Sequence, residues 1–295
     1  MKAILCIGDV NLDFVSRISA YPVEGSETLV NSHELRLGGS ACNVAIALRL
    51  LGYKSELLAR IGVDENGKLV SKRLRESKLF PSRVIISRKG ETGLSIVFIG
   101  DNGLRTMFTF RGVNIDAWDD STKDLDIDEF IGLFVSSYIF AKGLMGESKV
   151  SKFLHRAKGK TVFFDIRETP VKASAHEIAR ILDATNFLFI SEDAYQSVKD
   201  LGIPKSSVVV RYGTGNSGCT IVTSNEEFSY PPKQTVVRSL LAANDSFIAA
   251  FIASHLRGSK LEDSAQFANY VKAKVVSDRY WESKAISKVH ISSPL

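Results

Sequence analysis

The segment Leu241-Ala242-Ala243-Asn244-Asp245-Ser246-Phe247 sets one carboxylate where a small-residue turn runs into an apolar helix. Amides at a helix start lack intrahelical partners and carry the positive end of the helix dipole, so such a turn can hold a phosphoryl group. Asp245 would face that anion and be repelled by it unless it took a proton from an attacking hydroxyl. The alternative is an ordinary helix cap, for which Asp is a preferred residue.

A second cluster, Gly8-Asp9-Val10-Asn11-Leu12-Asp13, follows the first apolar run. Asn11 and Asp13 are two apart, so in extended chain both point to one side and offer donors and acceptors suited to sugar hydroxyls; a solvated turn is the alternative. In Leu37-Gly38-Gly39-Ser40-Ala41-Cys42-Asn43-Val44-Ala45 the double glycine lets backbone approach a ligand, and Asn43 sits on the first turn of an otherwise apolar helix. The common phosphate motifs are missing. Gly159-Lys160-Thr161 resembles the end of a P-loop, but Leu154 occupies the place of its first glycine and a strand follows instead of a helix. No G-x-G-x-x-G follows the first strand, which argues against the usual dinucleotide fold.

Residues 2–7 form a continuous apolar run, as expected of a buried strand in a parallel sheet, and similar runs recur at 161–164, 187–190 and 207–210. Helical patterns at 171–182 and 192–201 alternate with them, which predicts an α/β fold with a doubly wound, mostly parallel sheet flanked by helices. Runs at 84–86, 95–99 and 106–110 are closely spaced, and Asp101-Asn102-Gly103 is a hairpin turn signal. With part of 16–37 they predict a small antiparallel β lid, over approximately 14–37 and 84–112, within a single domain spanning 1–295. Such a sheet would cover a cleft or pair with a second copy of the chain, giving a homodimer through the lid. Phe98, Met107, Phe108 and Phe110 offer an apolar wall for a nucleobase, or more simply lid core.

The composition, 44% hydrophobic and 24% charged, is that of an ordinary globular protein. No apolar run is long enough to span a membrane, so a cytoplasmic protein without a membrane partner is expected. Cys6, Cys42 and Cys219 are odd in number and widely spaced, which fits reduced thiols and neither a disulfide framework nor a zinc site. A net charge of +5 suits anionic ligands, but the basic residues are scattered, which argues against nucleic acid.

The motifs together resemble the ribokinase-like carbohydrate kinases. Gly38-Gly39-Ser40-Ala41-Cys42-Asn43-Val44-Ala45 looks like that family's N-terminal signature, and Ala243-Asn244-Asp245-Ser246-Phe247 like its C-terminal one. Gly62-Val63-Asp64-Glu65-Asn66-Gly67 matches its G-x-D-x-x-G, and Asp13, Gly112-Val113-Asn114, Asp165-Ile166-Arg167 after a strand and Gly215-Asn216-Ser217-Gly218 fall in the family's order. The resemblance implies transfer of the ATP γ-phosphoryl group to a hydroxyl of a small sugar, polyol or nucleoside, with Asp245 as general base and Ala242, Ala243 and Asn244 as anion hole. It assigns Asn11, Asp13, Gly38, Gly39 and Asn43 to the acceptor, and Arg111 to it or to a second ligand group. Arg211, Gly213, Gly215, Gly218 and Asn269 fall to the nucleotide. Mg2+ is expected with ATP, with room for a monovalent cation; Asp165 and Glu192 are its candidate metal partners, through water.

Two departures stand out. The family has G-A-G-D preceded by Thr and Asp; here Ala242-Ala243-Asn244-Asp245 follows Ser239-Leu240-Leu241. Asn tolerates positive φ, so Asn244 is expected to keep the turn, while the methyl of Ala242 crowds the phosphate. Where the family has N-x-x-E, this chain has Ser191-Glu192-Asp193-Ala194, whose acidic pair also fits a plain helix start. These changes motivate an alternative: a catalytically impaired member that binds a sugar or nucleotide as a sensor or assembly subunit.

Overall fold

The computed structural model describes residues 2–79, 83–115, 125–140, 149–157, 159–167, 175–198, 203–205, 207–213, 217–278 and 286. Strand β1 (Ala3–Ile7) is apolar throughout because both its faces are covered: Ile4 and Cys6 enter one core, Ala3, Leu5 and Ile7 the other. It lies parallel to and between β4 (Ser55–Gly62) and β8 (Phe130–Ser136). Beyond β8 come β9 (Thr161–Ile166), β10 (Phe187–Ser191) and β11 (Val208–Tyr212), all parallel. The antiparallel strands β12 (Cys219–Val222) and β13 (Glu227–Tyr230) close that edge.

The other edge is β5 (Arg83–Ser87), which pairs in parallel with β4. The nine-stranded order is therefore β13-β12-β11-β10-β9-β8-β1-β4-β5. Helices α1 (Ser40–Leu50), α2 (Glu65–Glu76), α6 (Ala243–His255) and α7 (Leu261–Val276) pack into one core, and α3 (Lys149–Arg156), α4 (Ala175–Asp183) and α5 (Glu192–Val198) into the other. Helix α6 is buried on every side from Asp245 to Ser254, which its alanine-rich apolar sequence permits.

A second sheet of four strands, β2 (Asn11–Ile18), β3 (Val30–Gly38), β6 (Gly93–Ile99) and β7 (Arg105–Phe110), has the order β3-β2-β6-β7. It is antiparallel within each hairpin and parallel where β2 meets β6. The predicted turn joins β6 to β7: Gly103 has φ 77° and donates to the Gly100 carbonyl at 2.9 Å. Two boundaries differ from expectation. Residues 84–86 belong to the large sheet as part of β5, because their half-buried apolar run finds its partner in β4 instead of the lid hairpin. Asn11 and Asp13 are not a turn but the start of β2. Among the described residues, no helix is long and apolar enough to cross a membrane.

Candidate active site

The carboxyl ends of β1 and β9, the start of β2, and the N-termini of α1 and α6 converge under the second sheet on a cleft of about 220 Å³. Ligands of open α/β sheets bind at this end of the strands. Asp245 lies in the first turn of α6 but is not its cap. The cap is Ala242, in the left-handed region at φ 55° and ψ 14°. Asn244 does not take the positive φ expected of it, because the reversal falls two residues earlier and Asn244 is already helical.

The Asp245 carboxylate is fully engaged. Ser40 Oγ donates to its Oδ1 at 2.9 Å and Asn43 Nδ2 to its Oδ2 at 2.8 Å. Arg167 Nη2 also donates to Oδ1, and to Ser40 Oγ at 3.0 Å. Of the amides expected to form the anion hole, that of Ala243 reaches the Leu240 carbonyl at 3.3 Å. The amides of Asn244 and Asp245 have no carbonyl partner among the described residues and are open to an anion.

Asp13 and Asn43 line the same cleft as Asp245, with Asn11, Gly39 and Arg111. Gly38 sits against the Asp13 carboxylate, where any Cβ would come within 2.2 Å of it. Gly39 combines φ 93° with a Cβ position 2.4 Å from the Asp9 carbonyl, so both glycines are required by space. Asn11 Oδ1 accepts from Asn114 Nδ2 at 2.8 Å, which orients its amide. Asp9 Oδ1, Asp13 Oδ1 and Asn43 Oδ1 are buried with no partner among the described residues, on three side chains that line the cleft. Burial and the neighbouring Asp9 charge push the Asp13 carboxyl up to about 7, and burial raises Asp9 as well.

Several lining groups were not foreseen from sequence: Asp9, Ser40, Ser95, Arg105, Tyr138 and Arg167. The period-two pattern of β7 could have found one set, because Arg105, Met107 and Thr109 alternate onto the cleft face. Phe108 and Phe110 take the opposite face and are exposed, so of the aromatic and Met side chains expected as an apolar wall, Met107 alone lines the cleft. The Arg111 guanidinium lies 4.3 Å from the Tyr138 ring centroid.

A larger cavity of about 510 Å³ opens beside β11, β12 and β13 and includes Arg211, Gly213 and Gly218. Side chains at either glycine would collide, with Ser217 Cβ 2.3 Å from a Cβ on Gly213 and the Tyr230 carbonyl 2.0 Å from one on Gly218. Gly215 lies outside the described residues. Asn269 is buried behind this wall, its amide bonded to the Tyr230 and Pro231 carbonyls at 3.3 and 3.2 Å; it shapes the cavity without lining it. Lys272 Nζ donates to the Gly213 carbonyl at 2.8 Å, and burial lowers its pKa to about 8.

The expected metal partners are otherwise engaged. Asp165 is fully buried and accepts from Arg167 and from the Tyr212 hydroxyl, and Glu192 pairs with Arg211 at 3.4 Å. Among the described residues no cluster of three His, Cys, Asp or Glu could hold a metal ion. As placed, the Asp165 and Glu192 carboxylates do not together fit a directly bound divalent cation.

A family model described as pfkB family carbohydrate kinase matches residues 1–284. The chain is 26% identical over 278 residues to an ATP-dependent ribose-1-phosphate kinase of Halopiger xanaduensis, covering 91% of this chain and 90% of that protein. It is 24% identical over 272 residues to a nucleoside kinase of Methanocaldococcus jannaschii, covering 89% and 86%. The structure of Arabidopsis thaliana ribokinase complexed with ribose and ATP superposes with a TM-score of 0.74 at 20% identity, covering 95% and 94% of the two chains. With Gly39, Ser40, Asn43 and Asp245 of its two signatures lining one cleft and its model matching nearly the whole length, the chain belongs to the pfkB family and is a carbohydrate kinase.

Proposed function

We propose that this kinase moves the γ-phosphoryl group of ATP to a hydroxyl of a small sugar, or of a related polyol or nucleoside, with Asp245 as general base. The acceptor hydroxyl gives its proton to the Asp245 carboxylate as its oxygen bonds to the γ-phosphorus. The bond from that phosphorus to the bridging oxygen breaks, and ADP leaves. The open amides of Asn244 and Asp245 receive the charge on the transferring group, and Asp13, Asn11 and Asn43 hold the acceptor. Magnesium is read as part of the ATP substrate complex, neutralising its phosphates.

The observation that carries this reading is the placement of Asp245, held by Ser40 and Asn43 between the open α6 amides and a cleft of unpaired acceptor oxygens. The similarity to a ribose-1-phosphate kinase and a nucleoside kinase supports acceptors built on a ribosyl group. ADP release should be measured from ATP and magnesium across a panel of sugars, sugar phosphates and nucleosides, with wild type and Asp245→Asn side by side. Acceptor-dependent turnover that falls about a hundredfold or more in the variant is expected; an unchanged rate sinks the mechanism. A second reading, an impaired member that binds without turnover, draws on the left-handed Ala242 and its methyl at the phosphate turn. Silence across the panel, with thermal stabilisation by one ligand, would favour it.

A further inference from the structure

We propose that Arg167 is a catalytic residue: it caps the base in the resting enzyme and passes to the γ-phosphoryl group when ATP is bound. The inference rests on the kinase reading of the same cleft.

Arg167 follows β9 directly, and its side chain is 11% exposed. Its Nε donates to Asp165, which the Tyr212 hydroxyl fixes from the other side at 2.9 Å, and its backbone amide donates to Ser137 Oγ at 3.0 Å. The root of the side chain is therefore anchored independently of Asp245. Burial works against its charge, but Asp165, Tyr212, Asp245 and Tyr138 together more than offset that, so the guanidinium stays ionised. Its far nitrogens are placed differently. Nη2 rests on Asp245 and Ser40, while Nη1 has no hydrogen-bond partner among the described residues in a side chain that lines the cleft.

Asp245 in this state accepts three hydrogen bonds, one of them charge-assisted. Both oxygens of the carboxylate are thus occupied by donors, so one donor must withdraw to make room for the acceptor hydroxyl. Ser40 and Asn43 belong to α1 and are fixed by it, whereas the guanidinium has a second anchor in Asp165 and can turn about it. A phosphoryl group on the open α6 amides would lie beside Asp245 and offer a doubly charged partner for the two Nη groups, which match its oxygens as a fork. Transfer of Arg167 from carboxylate to phosphoryl would uncover the base and place a cation where charge gathers on the transferring oxygens. It would also supply a donor beside the turn in which Leu240 and Leu241 carry none.

The test is calorimetric binding of magnesium ATP and magnesium ADP to wild type, Arg167→Met and Arg167→Lys, followed by steady-state kinetics with an acceptor that wild type turns over. Arg167→Met is expected to weaken ATP about tenfold or more while leaving ADP unchanged, as loss of a charged hydrogen bond to the γ-phosphoryl alone requires. Its kcat should fall about a hundredfold or more with the acceptor KM little changed, and Arg167→Lys should recover part of both losses. A merely structural role predicts that ATP and ADP affinities fall together; that result, or no change in either, overturns the proposal. Should removal of one charge beside Asp165 prevent folding, Asp165→Asn with Arg167→Met keeps the pair neutral and is read in the same way. The ATP-against-ADP comparison needs no acceptor, so it decides this inference even if the Asp245→Asn experiment sinks the kinase mechanism.

Discussion

The two cavities share no lining residue and are built in different ways. The acceptor cleft is walled in part by side chains that each hold a buried oxygen without a partner among the described residues: Asp9, Asp13 and Asn43. The cavity beside β12 and β13 offers backbone, glycines and an arginine whose charge is already paired. Arg211 pairs with Glu192 and Glu227, and behind the wall Asn269 Nδ2 donates to the Tyr230 and Pro231 carbonyls while its Oδ1 has no partner among the described residues. Unmet hydrogen-bonding capacity in a buried cleft selects ligands, because a molecule that fails to satisfy it leaves desolvated groups unpaired. A cavity bounded by a paired arginine, backbone and tightly packed glycines recognises chiefly by shape. Acceptor specificity should therefore reside in a few polar side chains, and donor binding in backbone and space.

Exchanging one glycine on each side is the severest way to break that contrast. Gly38→Ala drives a Cβ into the Asp13 carboxylate, and Gly218→Ala drives one into the Tyr230 carbonyl. Gly38→Ala is expected to lower acceptor kcat/KM about a hundredfold, as misplacement of a binding group by an ångström does, with ATP affinity retained. Gly218→Ala should do the reverse, weakening ATP with the acceptor KM nearly unchanged. Initial-rate kinetics varying each substrate in turn check both, and a loss of both affinities in either variant would mean the cavities act as one.

Acidity sharpens the same contrast by a smaller amount. Burial and the Asp9 charge hold the Asp13 carboxyl near 7, and its ionised form is the better acceptor for a hydroxyl. Acceptor kcat/KM should fall as the pH drops through 7, about tenfold by pH 6, while ATP affinity does not follow; in Asp13→Asn the limb should vanish. Because the folded carboxyl is raised above its unfolded value of about 4, its ionisation costs stability above that value. Thermal melting of wild type relative to Asp13→Asn should improve as the pH falls from 7 toward 4.

What the sequence made legible follows from range. Asp13, Asn43 and Asp245 stand out because each is a polar group in a local pattern of glycines or apolar helix, and the structure brings all three to one cleft. The alternating strands and helices were readable for the same reason. Arg167 stood in a motif after a strand, but its role gave no local signal: its partner Asp245 is 78 residues away, and the fold alone brings them together. Residues 84–86 went to the wrong sheet because a three-residue apolar run carries no information about its partner strand.

The smallest expected effect tests the least foreseen feature. Local propensity favours Asn for a left-handed residue, yet the turn before α6 places Ala242 there, at φ 55°. An L-residue other than Gly or Asn in that region costs about 1 kcal/mol, so Ala242→Gly should stabilise the fold by roughly that amount, less the entropy a glycine adds to the unfolded chain. A rise in Tm of about 2 °C is expected by calorimetry. The accompanying kinetics discriminate between the two readings of the phosphate turn. An unchanged kcat means that the turn tolerates the methyl and that the open amides, not the room around them, define the anion site. A kcat that rises tenfold or more means that the methyl crowds the phosphoryl group, and the turn is then the feature that separates this chain from an unimpaired kinase.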